Sequence, residues 1–149
     1  TLLLDKAVKR MNIQPRIALL SYSNFGSSEG KTPTKVRAAA QILHDQHPEI
    51  IAEGDLQANF ALNSDMLSAN FPFSCLNGQS ANTLVFPNLE SGNIAYKLLQ
   101  EVGEAEAVGP ILLGMNKPIH VLQLDSSVRE IVNMVTIAVV DVQAHLKNL

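Results

Sequence analysis

The feature that most constrains this fold is an alternation along the chain. Short continuous apolar runs, of which Ile17-Ala18-Leu19-Leu20 is the clearest, are separated by stretches whose apolar residues recur at three- and four-residue spacing. An apolar run with no polar face must be covered on both sides, and the intervening helices supply that cover. The order predicts an α/β fold, a three-layer αβα sandwich with a mostly parallel sheet.

Strands are expected over 17–20, 50–53, 83–86, 111–113 and 119–122. A first helix ends near Asn12, before the break at Pro15. A second spans 33–46, with Pro33 in its first turn and Val36, Ala40 and Leu43 on one face. A third covers 57–67, and a fourth, capped by Ser91, carries Ile94, Leu98 and Val102 and stops at Gly103. The last helix starts near Val128, because Ser127 and Glu130 have the spacing of a capping box. Val128, Ile131, Val132, Val135 and Val139 build its apolar face. With no repeat, linker or low-complexity tract, residues 1–149 read as one domain. The opening at Thr1, without methionine, reads as the C-terminal fragment of a longer polypeptide.

Charge and cysteine usage exclude several functions. The net charge is −3 with lysines and arginines scattered, so no basic stripe exists for a nucleic-acid backbone. Cys75, the single cysteine, cannot form an internal disulfide, and with four irregularly spaced histidines it gives no zinc pattern. A reducing, cytoplasmic setting is expected. No apolar run approaches the roughly 20 residues that span a bilayer, so no membrane partner is expected.

Chemistry is expected first in two polar loops at strand exits, 21–30 and 87–93, because α/β proteins bind ligands outside the carboxyl ends of their strands. Ser21, Ser23, Asn24, Ser27 and Ser28 offer hydroxyl and amide groups, and Lys31 follows them. Gly26 and Gly30 permit unusual backbone angles. The competing explanation is that these residues only satisfy a turn. Neither loop matches GxGxxG or a P-loop, which disfavours ATP. No GxSxG elbow is present, and His44, His47, His120 and His145 have no local link to a nucleophile, so the residues name no catalytic group and no metal ligand. His44 and His47, three residues apart near a helix end, fit dipole contacts or a solvated face. The segment 109–118 presents an apolar wall to a ligand or simply packs.

The passages PRIALLSYSNFGSS, GDLQANFAL, ANTLVFPNLESGNIAYKLLQ and GPILLGMNKPIHVL resemble, in this order, successive motifs of the C-terminal part of the phosphotransacetylase family. The resemblance covers nearly the whole chain and implies a helix-covered sheet that forms dimers and binds CoA thioesters. Active members carry a Ser-Arg-Gly triplet after the strand matching 119–122 and an aspartate in the next helix. Here those positions read Gln123, Leu124, Asp125 and Glu130. Leucine lacks the guanidinium that would bind acetyl phosphate and stabilise an oxyanion. Through SYSNFGSS and SSVREIVNMV the chain also resembles the phosphotransacetylase-like domain fused behind the catalytic region of bacterial NADP-dependent malic enzymes.

That resemblance implies a non-catalytic regulatory domain taking acetyl-CoA or CoA as effector, in a homodimer and a higher oligomer of the parent. The parent would use NADP and a divalent metal; this domain would hold no cofactor. A working phosphate acetyltransferase is the alternative, and a scaffold without a ligand a third reading. The expected acetyl-CoA contacts are Asn88, Ser91 and Asn93 by hydrogen bonds, Pro110 and Ile137 by apolar contact, and Lys97 and Arg129 through phosphate. Gln123 and Leu124 complete the set, with loop 21–30 and Lys31 as a second candidate.

Overall fold

The computed structural model describes residues 1–147. Pro15 and the polar Ser21 bound β1 (Ile17–Leu20), all four of whose residues are buried. Successive strand side chains point to opposite faces. Ile17 and Leu19 accordingly join Val36 and Leu43 of α2 (Lys31–Gln46), together with Ile50 and Ala52. Ala18 and Leu20 join Leu56, Ala61, Leu67, Leu76 and Ala81 on the other side, under α3 (Ala58–Leu62) and α4 (Ser64–Asn70). Each fully buried leucine or isoleucine contributes about 1.5–3 kcal/mol. Helices therefore cover both faces of the sheet, as the apolar run requires, and the chain is an α/β sandwich.

The sheet has three parallel strands in the order β2-β1-β3, with β2 at Ala52–Leu56 and β3 at Thr83–Val85. Ala18 pairs with Glu53 but Leu20 with Leu56, so β2 accommodates one additional residue in a bulge. Within it Gly54 lies against β1: a Cβ there would stand 2.8 Å from both Leu19 Cβ and Leu19 O.

Several expected boundaries move. The second strand is Ala52–Leu56 rather than 50–53, because Glu53 and Asp55 are buried with partners and so continue the strand. The helix expected over 57–67 breaks at Asn63, whose extended backbone leaves the helical region and whose Oδ1 accepts from Met66 N at 2.9 Å, capping α4. The helix α5 (Leu89–Val102) is opened by Asn88 and not by Ser91: Asn88 Oδ1 accepts from Ser91 N at 2.8 Å. Segments 111–113 and 119–122 form no strands. They find no neighbouring strand among the described residues, and Pro110 and Pro118 bring no N–H to a ladder. Leu112, Leu113, Ile119, Val121 and Leu122 remain exposed.

The chain divides into two compact units, Thr1 with Gln14–Tyr96, and Leu2–Ile13 with the chain from Lys97 onward. The first holds the sheet and both apolar clusters. The second contains α1 (Leu2–Arg10) and α6, which runs from Val128 to Lys147. Arg10 donates to Asp141 across these helices at 2.9 Å, and Met134 is buried. The α6 start is the expected one: Ser127 N donates to Glu130 Oε2 at 2.7 Å, and Glu130 N to Ser127 Oγ at 3.2 Å. Val128, Ile131, Val132, Val135 and Val139 are all exposed. Among the described residues no helix is long and apolar enough to cross a membrane.

Candidate functional site

The chain leaves β1 toward β2 and later returns to β1's other edge as β3, so the connections diverge at the carboxyl ends of β1 and β3. Such a switch point opens a crevice. A cleft of about 400 Å³ occupies it, walled by Leu20, Ala58, Phe86 and Pro87, with polar groups from Ser21, Tyr22, Thr32, Asn88 and Ser91. Apolar walls with a few converging polar groups are the usual makeup of a small-molecule site, and the size fits one. The two loops singled out in the sequence meet here, through Ser21 on one side and Asn88 and Ser91 on the other. Tyr22, Thr32 and Phe86 went unnoticed because strand-exit position was read only for its serines and asparagines.

Most of the loop after β1 is occupied with itself. Ser23 Oγ accepts from Ser28 N at 3.1 Å, Ser27 Oγ accepts from Asn24 N at 2.9 Å, and Asn24 Oδ1 accepts from Gln57 N at 2.8 Å. Ser23 and Asn24 are buried. Gly26 takes φ 87, and Phe25 meets Phe71 at a tilt and Phe73 edge-to-face, with ring centroids 4.8 and 4.9 Å away. These groups shape the cleft's rim; Ser21, whose Oγ accepts from Ser23 N at 3.2 Å, also lines the cleft, and Lys31 is exposed at the start of α2.

Beneath the loop lies a group that sequence reading missed. Asp55, fully buried in β2, accepts from Arg37 Nε and Gly26 N, both at 3.3 Å. Burial pushes its carboxyl up, but hydrogen bonding from Ser23 and Arg37 and the Arg37 charge outweigh this and hold it below its ordinary value. Asp55 is thus an anion that ties β2 to α2 and to the loop. The signal was two carboxylates flanking a glycine in an otherwise apolar neighbourhood, Glu53-Gly54-Asp55.

The other expected ligand residues fall in both units. Asn88, Ser91 and Asn93 belong to the first; Ser91 Oγ donates to Asn88 Oδ1 at 2.9 Å, and Asn93 is exposed. Lys97, Pro110, Gln123, Leu124, Arg129 and Ile137 belong to the second. There Arg129 pairs with Glu106 beside a hollow that also takes in Gln100, Glu104 and Glu130, while Ile137 lines a different hollow with Arg10 and Val140. Lys97 Nζ donates to Gln100 Oε1 at 3.3 Å, and Pro110 is exposed. Gln123 and Leu124 stand exposed in the turn before α6, with Gln123 N donating to Ser126 Oγ at 3.1 Å. The Glu130 carboxyl is held below its ordinary value by hydrogen bonds from Ser127, with a smaller contribution from the Lys97 charge.

The family model for phosphate acetyl/butaryl transferase matches residues 4–139. The chain is 44% identical over 144 residues to the NADP-dependent malic enzyme of Escherichia coli (strain K12), a match covering 96% of this chain and 19% of that protein. It is 41% identical over 139 residues to the phosphate acetyltransferase of Clostridium acetobutylicum, covering 93% of this chain and 41% of the other. Among solved structures, a phosphotransacetylase from Streptococcus pyogenes superposes with a TM-score of 0.86 at 38% identity, over 96% of this chain and 43% of that one. The chain therefore spans less than half the length of each of these relatives.

Proposed function

This chain belongs to the phosphate acetyl/butaryl transferase family, and we propose that it acts as a non-catalytic, acetyl-CoA-binding regulatory module of an NADP-dependent malic enzyme. In that setting the parent oxidatively decarboxylates malate, supplying NADP and a divalent metal at a centre outside this module. Malic enzymes and phosphate acetyltransferases match at nearly equal identity, so identity does not choose between the regulatory and the catalytic reading.

One observation favours the regulatory reading: a fully exposed Leu124, next to Gln123, stands where the resemblance places arginine and serine. No cation is presented there to stabilise charge developing on a transferred acyl group. Glu130 is engaged as half of the capping box, and its ionised state makes it a weak base. With acetyl-CoA and phosphate the chain should form acetyl phosphate at far less than about one turnover per second, below the ordinary range of enzymes. A rate of several per second would return the chain to the acetyltransferases.

Acetyl-CoA is assigned to the cleft at the ends of β1 and β3, where apolar walls suit the pantetheine arm and Ser21, Asn88 and Ser91 suit its amides. As an effector it must bind two states of the parent with different affinity. Ser21→Trp fills the cleft and should weaken acetyl-CoA binding by calorimetry at least about a hundredfold, some 2.7 kcal/mol. Alanine at Arg129 or at Lys97, tested one at a time as phosphate contacts, should cost about tenfold. Unchanged affinity in both, with the fold intact, would move the phosphates to Lys31; unchanged affinity in Ser21→Trp would remove the ligand from this cleft.

A further inference from the structure

Glu53, His44 and Cys75 come from β2, the last turn of α2 and the loop over 71–79, yet one ligand atom of each lies within 4.8 Å of the others. No spacing in the sequence brings these three together. The chemistry of the set is mixed: an imidazole nitrogen, a carboxylate oxygen and a sulfur. His44 Nε2 stands 3.9 Å from Glu53 Oε1. Two protons converge on one acceptor beside that carboxylate, since His44 Nε2 lies 2.9 Å from Ala52 O and Cys75 Sγ donates to the same oxygen at 3.3 Å.

We propose that His44, Glu53 and Cys75 form a binding site for a zinc-class divalent cation, with Ala52 O or water in the fourth position. This site is separate from the acetyl-CoA cleft and does not depend on the regulatory reading. Zinc binds nitrogen and oxygen at about 2.0–2.2 Å and sulfur at about 2.3 Å, so tetrahedral ligands around one ion stand about 3.3–3.7 Å apart. The present separations are within a side-chain adjustment of that geometry. The carboxylate is already oriented: Ser74 Oγ at 2.9 Å and Cys75 N at 3.0 Å both donate to Glu53 Oε2, while Oε1 accepts from Gly54 N at 3.2 Å and faces His44. Such outer hydrogen bonds are what fix the ligands of metal centres. His44 and Cys75 are exposed, which gives an ion a route in, and Glu53 is buried, which gives it an anion that water does not screen.

The proton balance is explicit. Without a cation the Cys75 thiol stands protonated beside the Glu53 carboxylate and donates to Ala52 O at 3.3 Å. A bound cation reverses that environment, the sulfur–metal bond forms as the S–H bond breaks, and one proton passes to solvent. For Nε2 to bind the ion, the His44 proton facing Ala52 O moves to Nδ1, a tautomeric change that releases none.

Cobalt(II) reads the site directly when added to the reduced, metal-free chain. One equivalent should produce thiolate-to-metal charge-transfer absorption in the near ultraviolet, with release of about one proton. Cys75→Ser should abolish the band, and His44→Ala should weaken cobalt affinity at least tenfold. His47→Ala, at a histidine already paired with Glu49 at 3.3 Å, should leave both unchanged. Zinc should raise the unfolding midpoint of the wild type and not that of Cys75→Ser. Absence of the band in the wild type, or equal affinity in His44→Ala, overturns the proposal whatever acetyl-CoA does.

Discussion

Replacement of Asp55 by alanine should cost the first unit about 3 kcal/mol, measured as the shift in urea unfolding. Removing one partner of a buried ion pair typically costs about 3–5 kcal/mol because the other charge is left behind. The lower end applies here, since the Arg37 side chain is 43% exposed and regains water. Gly26 N loses its acceptor as well, so the loop that rims the cleft should loosen. The pH dependence has a definite sign. A carboxyl whose folded value lies below the ordinary one, about 3.9, contributes fully above that pH, and the contribution disappears as pH falls through the folded value. Wild type and Asp55→Ala should therefore converge in stability in strong acid and differ most near neutrality. A constant gap across this range, or a cost under about 1 kcal/mol, would contradict the role given to this carboxylate.

Leu76→Ala should be comparably damaging, at about 2–5 kcal/mol, the range for emptying a buried leucine site. Leu76 has no exposed surface and sits in the cluster with Leu56 and Leu67, although it belongs to a loop. Its side chain is the apolar anchor of a stretch otherwise held by turn bonds, such as Ser74 N to Phe71 O at 3.0 Å, and by the bonds of Ser74 and Cys75 to Glu53. Ser74 and Cys75 lie in that stretch, so the variant should also make Cys75 react faster with an aromatic disulfide reagent under native conditions. A stability loss under about 1 kcal/mol, or an unaltered thiol rate, would show that the loop is held elsewhere. Native proteins rest on about 5–15 kcal/mol in all, so either substitution removes a large share of the margin.

What the sequence made legible was local. β1 could be read because an unbroken apolar run between a proline and a serine has few alternatives, and the α6 start because Ser127 and Glu130 satisfy each other within one turn. Segments 111–113 and 119–122 also carry mainly apolar runs, but a strand also needs a neighbour, and that information is not local. β2 was placed too early because Glu53 and Asp55 read as the end of a strand; their partners lie far along the chain at Ser74 and Arg37. The same distance in sequence hid the His44, Glu53 and Cys75 group. Of the cleft, Ser21, Asn88 and Ser91 were accessible to strand-exit reasoning, whereas Tyr22 and Phe86 needed the folded loops.

The bulge in β2 bears on how this chain can change length. In a regular strand Ala52 and Leu56, four residues apart, would face the same layer, yet Ala52 sits in the cluster under α2 and Leu56 in the opposite one. Deleting a single residue between them would straighten the strand and still leave both side chains in their own layers, because positions three apart already alternate. Pairing of the sheet therefore does not require the additional residue. What a shorter β2 would lose is room for Glu53, Gly54 and Asp55 together, and with it either the anion tied to Arg37 or the carboxylate held by Ser74.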